Sequence, residues 1–164
     1  MLNAALKMTI VILVIVTALT SCVLPIPEDK VLTSLGEYKD HEFYTQGEFQ
    51  DFTDYAKYYY DSADLSGNDY FTKIKESHMP EINELLDDFE LWIETYREND
   101  ATCEIVVNYD FDRAVIDNED YAYIYSEKSE FTLDDGTTTT FYDNYDVYIF
   151  DVQTQTLYYF HNNI

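Results

Sequence analysis

The residues that most often carry out acid–base chemistry or bind metal ions are few and widely spaced in this chain. The three histidines, His41, His78 and His161, stand far apart in the sequence. His41 and the glutamate after it begin like the zinc-binding helix of a metalloprotease, but the residue four positions on is Thr45, so the second ligand at helical spacing is missing. We therefore interpret the histidines as surface or turn residues and assign no catalytic residue among them.

A cysteine nucleophile is not indicated either. Cys103 lies in the segment CEIVVNYDF (103–111), where alternate positions are apolar, and this pattern predicts a strand with Cys103 on its buried side. No glycine or tryptophan signature of a catalytic cysteine flanks it, so we interpret Cys103 as a small core residue. The Gly-x-Ser-x-Gly and Ser-x-x-Lys patterns of serine hydrolases are missing from the sequence.

Carboxylates are so numerous that pairs of them carry little information. Glycosidases use two carboxyl groups, but the chain has 33 Asp and Glu residues, and any fold would bring some of these together by chance. No acid and base are nominated, and a hydrolase of envelope polymers that uses a carboxylate pair stays an alternative function.

One acidic cluster has a more specific spacing. Asn108, Asp110, Asp112 and Glu119 match four ligand positions of a calcium-binding loop, but Arg113 stands where that loop has its glycine. The favoured interpretation is that the first two point outward from a strand and that Glu119 lies in a turn. No metal site is assigned, and a cation-binding or inhibitor-like protein is the third functional hypothesis.

Aromatic residues give the remaining signal, with 17 Tyr and 10 Phe in the chain. In the predicted strands aromatic residues occur at both odd and even positions, and therefore on both faces of the sheet. The face that does not pack against the helices should then present tyrosines. Such a surface would bind a protein, peptide or glycan, since a tyrosine ring buries apolar area while its hydroxyl stays in water. The alternative is that these residues only reflect strand propensity. The candidate binding residues are Tyr121, Tyr123, Tyr125, Tyr148 and Tyr158.

The charge excludes other function classes. Nine Lys and Arg against 33 Asp and Glu give a formal charge of −24, which would repel nucleic acid. Two cysteines cannot form a disulfide framework or a thiolate zinc site, and four isolated glycines cannot form a phosphate-binding loop, so no cofactor is expected. With 46% hydrophobic residues the chain has enough apolar surface to fold.

The N-terminus reads as a targeting segment. Lys7 precedes an apolar run from Ile10 to Leu19, which is about half the length of a membrane span but fits the apolar region of a secretory signal. The segment closes with two small polar residues and a cysteine. The pattern predicts a signal peptide over residues 1–21.

The residues at the end of this segment, Leu19-Thr20-Ser21-Cys22, resemble the lipobox of bacterial lipoproteins. The resemblance implies diacylglyceryl transfer to the Cys22 thiol, cleavage before Cys22 and acylation, as with palmitate, of the new amino terminus. It implies a lipid-anchored protein on the cell membrane that faces the outside of the cytoplasm. The alternative is an ordinary secretory signal with a chance cysteine.

Two helices are predicted after a tether over residues 22–34. Residues 47–61 repeat apolar groups at the spacing of one helical face, and residues 61–69 read as a loop. Pro80 fits the first turn of a second helix with a clean apolar stripe, which ends near Asn99.

Strands are predicted beyond residue 100, where the apolar period changes to two. They are assigned to 103–111, 121–127, 145–152 and 156–162, with a hairpin turn at Asp135-Gly136.

Together the patterns predict a single α+β domain over residues 35–164. One or two long N-terminal helices would pack on one face of an antiparallel sheet of four or five strands. The function expected of this domain is a binding or envelope-interaction module with an acidic, tyrosine-rich surface, more consistent with a binding protein than with an enzyme.

Overall fold

The computed structural model describes residues 29–48 and 51–163. The chain divides into two compact units, Met1–Thr33 and Ser34–Ile164. In the first unit the described part is a single turn of helix, α1 (Lys30–Thr33). The signal segment and Cys22 lie outside the described residues, so their assignment stays a prediction.

Six strands form one antiparallel sheet in the second unit. Its order is β1-β2-β6-β5-β4-β3, so the last strand in sequence lies inside the sheet between β2 and β5. The strands are β1 (Asp40–Glu48), β2 (Asp51–Tyr59), β3 (Thr72–Lys73), β4 (Tyr121–Thr132), β5 (Thr138–Asp151) and β6 (Thr156–Asn163).

One long helix, α2 (Met79–Asn99), packs on one face of this sheet. Its stripe of Ile82, Leu85, Leu86, Phe89 and Ile93 is buried, as the apolar spacing predicted. A short helix, α3 (Glu104–Asn108), and a 3₁₀ turn (Arg113–Val115) follow. The predicted fold class is wrong, because the described chain is mostly a six-stranded antiparallel sheet with one helix longer than two turns.

The predicted helix over 47–61 is wrong because this segment contains strand β2. Thr53 to Lys57 are all buried, since β2 lies inside the sheet between β1 and β6 and has both faces covered. A strand buried on both faces shows no alternation of apolar and polar residues, so the spacing of its aromatic rings imitated a helix.

The predicted strand over 103–111 is also wrong. The segment forms α3, with backbone hydrogen bonds from Val107 N to Cys103 O and from Tyr109 N to Ile105 O. Val107, expected inside, is 65% exposed. Cys103 lies just before the helix and is half-buried against the core, rather than on a strand.

The remaining predicted strands and the predicted hairpin turn are confirmed. Strands cover 121–127, 145–151 and 156–162, and the Asp135-Gly136 turn joins β4 to β5. Gly136 has φ +83°, a left-handed conformation that favours glycine.

Candidate functional site: the open face of the sheet

The sheet face opposite α2 is the candidate site. Tyr55, Phe160 and Val147 are cross-strand partners on β2, β6 and β5, and all three belong to the core under α2. Because side chains alternate along a strand, their sequence neighbours point away from α2. We call this second surface the open face; its members are His41, Phe43, Thr45, Phe52, Asp54, Ala56, Tyr58, Tyr121, Tyr123, Tyr125, Asp146, Tyr148, Phe150, Leu157, Tyr159 and His161.

Aromatic rings form the middle of the open face. The Tyr148 and Tyr159 ring centroids lie 4.6 Å apart, and those of Tyr123 and Tyr148 lie 5.9 Å apart. The loop after β2 covers one end, where the Phe71 ring lies 6.4 Å from that of Tyr148. Elsewhere the rings reach solvent: Phe43 is 46% exposed and Tyr125 is 39% exposed.

A row of polar side chains crosses this aromatic surface. Asp54, His161 and Asp146 are cross-strand partners on β2, β6 and β5. His161 Nδ1 lies 2.8 Å from Asp146 Oδ1, and the Tyr159 hydroxyl donates to the same oxygen at 2.8 Å. His161 is 9% exposed and Asp54 is 7% exposed, so the interpretation of His161 as a surface or turn residue is wrong.

Two polar atoms in this row have no hydrogen-bond partner among the described residues, His161 Nε2 and Asp54 Oδ1. Burial raises the pKa of the Asp54 carboxyl above its ordinary value, although a hydrogen bond with Thr45 and the charge of His161 work in the opposite direction. Since Asp146 accepts from Nδ1–H, a neutral His161 ring carries its lone pair on Nε2. The row therefore places a carboxyl with a raised pKa beside an imidazole.

The structure divides the five candidate tyrosines between the two faces. Tyr121, Tyr123, Tyr125 and Tyr148 lie on the open face. Tyr158 lies on the helix side, with its ring centroid 4.8 Å from that of Phe111.

The four residues of the calcium-loop pattern do not come together. Asp110 accepts hydrogen bonds from Lys57 and Tyr55, and Glu119 forms an ion pair with Lys73 at 2.9 Å. Asp112 accepts from the backbone of Ala114, and Asn108 donates to the backbone of Glu104. Within residues 29–48 and 51–163, no group of three or more His, Cys, Asp or Glu side chains is placed to hold a metal ion.

Cations of the described residues are largely neutralised by neighbouring carboxylates. Lys57, 10% exposed along its side chain, contacts Glu42 at 2.7 Å and Asp110 at 2.9 Å. With 33 acidic residues in the chain, many carboxylates still lack a cation. The cations held in ion pairs are Lys39, Lys57, Lys73, Arg97, Arg113 and Lys128.

Four cavities of about 210 to 450 Å³ border α2 or the residue before it, rather than the polar row. None of these four cavities is lined by Asp54, Asp146 or His161.

Sequence reasoning missed the polar row. Asp54 lies in a segment that was predicted to be a helix, so the sequence did not indicate that it is a cross-strand partner of His161. The signal that could have revealed His161 is its shared parity with Leu157 and Tyr159 in the correctly predicted strand 156–162.

Within the part of the chain that the structure describes, no helix is long and apolar enough to cross a membrane. A scan against protein-family models finds no match for this chain, and searches among curated proteins and among solved structures find no similar protein or fold.

Proposed function

We propose that this chain is a lipid-anchored protein of the cell envelope, held outside the cytoplasm through Cys22, whose open face binds a cationic segment of a protein partner. The single observation that carries the binding role is the exposed part of the open face, where the Phe43 and Tyr125 rings reach solvent. The membrane anchor rests on the resemblance of residues 19–22 to a lipobox.

Charge favours a cationic partner over a neutral or anionic one. The chain has a formal charge of −24, so a basic segment would approach it faster and a nucleic acid would be repelled. Tyrosine and phenylalanine rings also attract ammonium and guanidinium groups at their faces. The structure already contains one such pair, with Lys128 Nζ lying 4.2 Å from the centre of the Tyr142 ring.

The anchor is tested by Cys22→Ala in the organism that processes the chain. The variant should carry no lipid, because the thiol is the acceptor, and should remain an uncleaved precursor or be released. Metabolic labelling with a fatty acid measures this. Equal labelling of the variant and the natural chain would show that Cys22 is not the lipidation site.

The binding role is tested with the full-length chain in detergent and a 20-residue peptide of Lys-Thr repeats at low salt. The double variant Phe43→Ser/Tyr125→Ser removes two exposed rings from the open face. Each exposed cation–π contact contributes about 0.5–1 kcal/mol, so affinity should fall about fivefold to thirtyfold. Isothermal titration calorimetry gives the dissociation constants.

The matched control is Leu91→Ser/Val107→Ser, which removes two side chains that are each 65% exposed on the helical elements. This control should bind the peptide as the natural chain does. Equal losses in both double variants would show that the open face has no special role. Binding of an N-acetylglucosamine hexamer in place of the peptide would indicate a glycan-binding protein instead.

A hydrolase is the second candidate, favoured by Asp54 and Asp146 on either side of His161. An acid with a raised pKa beside a base is the arrangement that general acid–base catalysis uses. However, Asp54 Oδ1 and His161 Nε2 are buried from solvent, and a polymer cannot contact them where they lie. Polymer cleavage that disappears in Asp54→Asn would favour the hydrolase.

A further inference from the structure

The outer edge of strand β4 is open along most of its length. β3 has two residues and pairs only with Tyr121 and Ala122, whereas β4 continues to Thr132. From Tyr123 onward this edge has no strand partner among the described residues. An open strand edge is a template on which an extended peptide can pair as a further strand.

The pairing of β3 with β4 stops where a longer β3 would continue. The Thr72–Ala122 pair is the last of the register, and the residue before it, Phe71, is buried with its ring centroid 6.4 Å from that of Tyr148 on the open face. Tyr70 stays near the edge, with its ring edge-on to Tyr123 at 5.6 Å. No strand of the described residues therefore pairs with Tyr123 and Ile124 at this edge.

A cavity of about 210 Å³ opens beside this edge, on the side of α2. The residues that line it are aliphatic, polar, aromatic and acidic, and they include Ile82 and Ile124, Thr72, Tyr70 and Glu81. In an extended strand alternate side chains point to the same side. A peptide paired with β4 would thus direct every second side chain toward this cavity.

The cavity suits a lysine or arginine side chain. Such a side chain has an apolar stem, which would pack on Ile124, and a charged end, which would meet the Glu81 carboxylate. Glu81 is exposed in the first turn of α2 and has no ion-pair partner among the described residues. It is available to a cation from outside.

We infer that the cationic partner segment binds by strand addition to β4 at Tyr123–Tyr125 and places a lysine or arginine side chain in the cavity between Tyr70, Ile82 and Glu81. This inference rests on the proposed function and adds the mode of binding. The segment is extended, with basic side chains at alternate positions.

The farther part of the same edge is protected against pairing. The register between β4 and β5 shifts between Glu127 and Lys128, which marks a bulge, and charged side chains follow as far as Glu130. Bulges and charges are the features by which edge strands avoid unwanted partners. The unprotected stretch is therefore short and coincides with the cavity.

The test uses the full-length chain in detergent and the hexapeptide Lys-Thr-Lys-Thr-Lys-Thr. A second hexapeptide of the same sequence is N-methylated at every backbone amide, which keeps the charge but removes all the donors that strand pairing needs. Because two lost hydrogen bonds of about 1 kcal/mol each correspond to about thirtyfold, the methylated peptide should bind at least about tenfold more weakly. Calorimetry measures both peptides.

Two variants address the cavity in the same titration. Thr72→Trp places a large ring at the cavity wall and should weaken hexapeptide binding about tenfold, whereas Thr139→Trp, at an exposed strand position in the β4–β5 hairpin, should not. Glu81→Gln should weaken it about fivefold, the effect of one partly exposed ion pair. Glu98→Gln, near the other end of α2, is its matched control.

Equal affinity for the two hexapeptides, or equal effects of Thr72→Trp and Thr139→Trp, would overturn strand addition. If the 20-residue peptide still depends on Phe43 and Tyr125 in that case, the proposed function stands and only the binding mode fails. If neither peptide binds the natural chain, both proposals fail.

Discussion

The two faces of the sheet are made by the same strands, but their buried polar groups find hydrogen-bond partners in different ways. On the helix face, the Tyr145 hydroxyl donates to Asp88 of α2 and the Tyr55 hydroxyl donates to Asp110, although Asn162 Nδ2 has no partner among the described residues. On the open face, Asp54 and His161 are also buried, and each has an atom without a partner among the described residues.

This difference in hydrogen bonding bears on how much each face contributes to the stability of the fold. The helix face gains hydrogen-bond partners from α2, whereas the polar row of the open face pairs within the sheet. An unpaired buried group costs about 1–3 kcal/mol. We infer that the helix face carries most of the stability.

The largest expected effect comes from the helix face. Phe89 is fully buried, with its ring centroid 5.3 Å from that of Phe160. Phe89→Ala should lower the free energy of unfolding by about 3–5 kcal/mol, as large-to-small core substitutions do. Phe43→Ala on the open face should lower it by less than about 1 kcal/mol. Urea titration of both variants measures the contrast, and equal losses would mean that the two faces contribute equally.

Salt should produce a smaller effect through the charges on the helix side. α2 alone carries seven carboxylates and one cation, so repulsion along its outer surface opposes folding. The Debye length falls from about 30 Å at 0.01 M salt to about 8 Å at 0.15 M. The melting temperature should therefore rise by several degrees between these two conditions. A melting temperature independent of salt would contradict the repulsion.

Calcium at matched ionic strength is the control for this experiment. Because the residues of the calcium-loop pattern lie apart, calcium and magnesium should give equal melting temperatures. A further rise that saturates at low millimolar calcium and disappears in Asp110→Asn/Asp112→Asn would instead reveal a specific site.

The smallest effect is a pH dependence on the open face. The pKa of Asp54 is raised in the folded chain, so the folded state holds this proton more tightly than the unfolded state. The resulting stability is complete below the ordinary aspartate pKa of about 3.9 and is lost as the pH rises through the folded value. Asp54→Asn should therefore stabilise the chain at pH 7 and have little effect at pH 3.5.

Thermal melts of Asp54→Asn at the two pH values check the sign. Asp134→Asn, an exposed carboxylate beside the β4–β5 turn, should change neither melting temperature. A loss of stability in Asp54→Asn at pH 7 would show that the ionised carboxylate is favourable where it lies.

The sequence correctly predicted those elements that have one apolar side and one polar side, or that follow clear turn signals. In α2 the apolar stripe and the acidic surface alternate at helical spacing, and the strands near the C-terminus follow turn signals that propensity alone identifies. β2 has no such contrast, because residues of both parities are buried. Its partner β6 is distant in sequence: Thr53 and Asn162, which pair across the two strands, are 109 residues apart, and no local pattern encodes such a pairing.

The candidate site was predictable to the same extent. Four tyrosines of the open face could be assigned from the parity of correctly predicted strands. The row of Asp54, His161 and Asp146 could not, since it depends on the register between β2 and β6. The cavity beside β4 depends on where the chain leaves β3, which is equally a long-range property.

The long β4–β5 hairpin has a consequence for how the molecule opens. β6 pairs with β5 only between Asn144 and Asp151, so the segment from Lys128 to Tyr142 is a two-stranded ribbon, and residues 130–141 are exposed. Such a ribbon is marginal by itself. Its amides should therefore exchange with solvent through local openings that leave the rest of the sheet intact, and a protease should first cut the chain here. The hairpin would then open and close independently of the rest of the sheet, which stays folded.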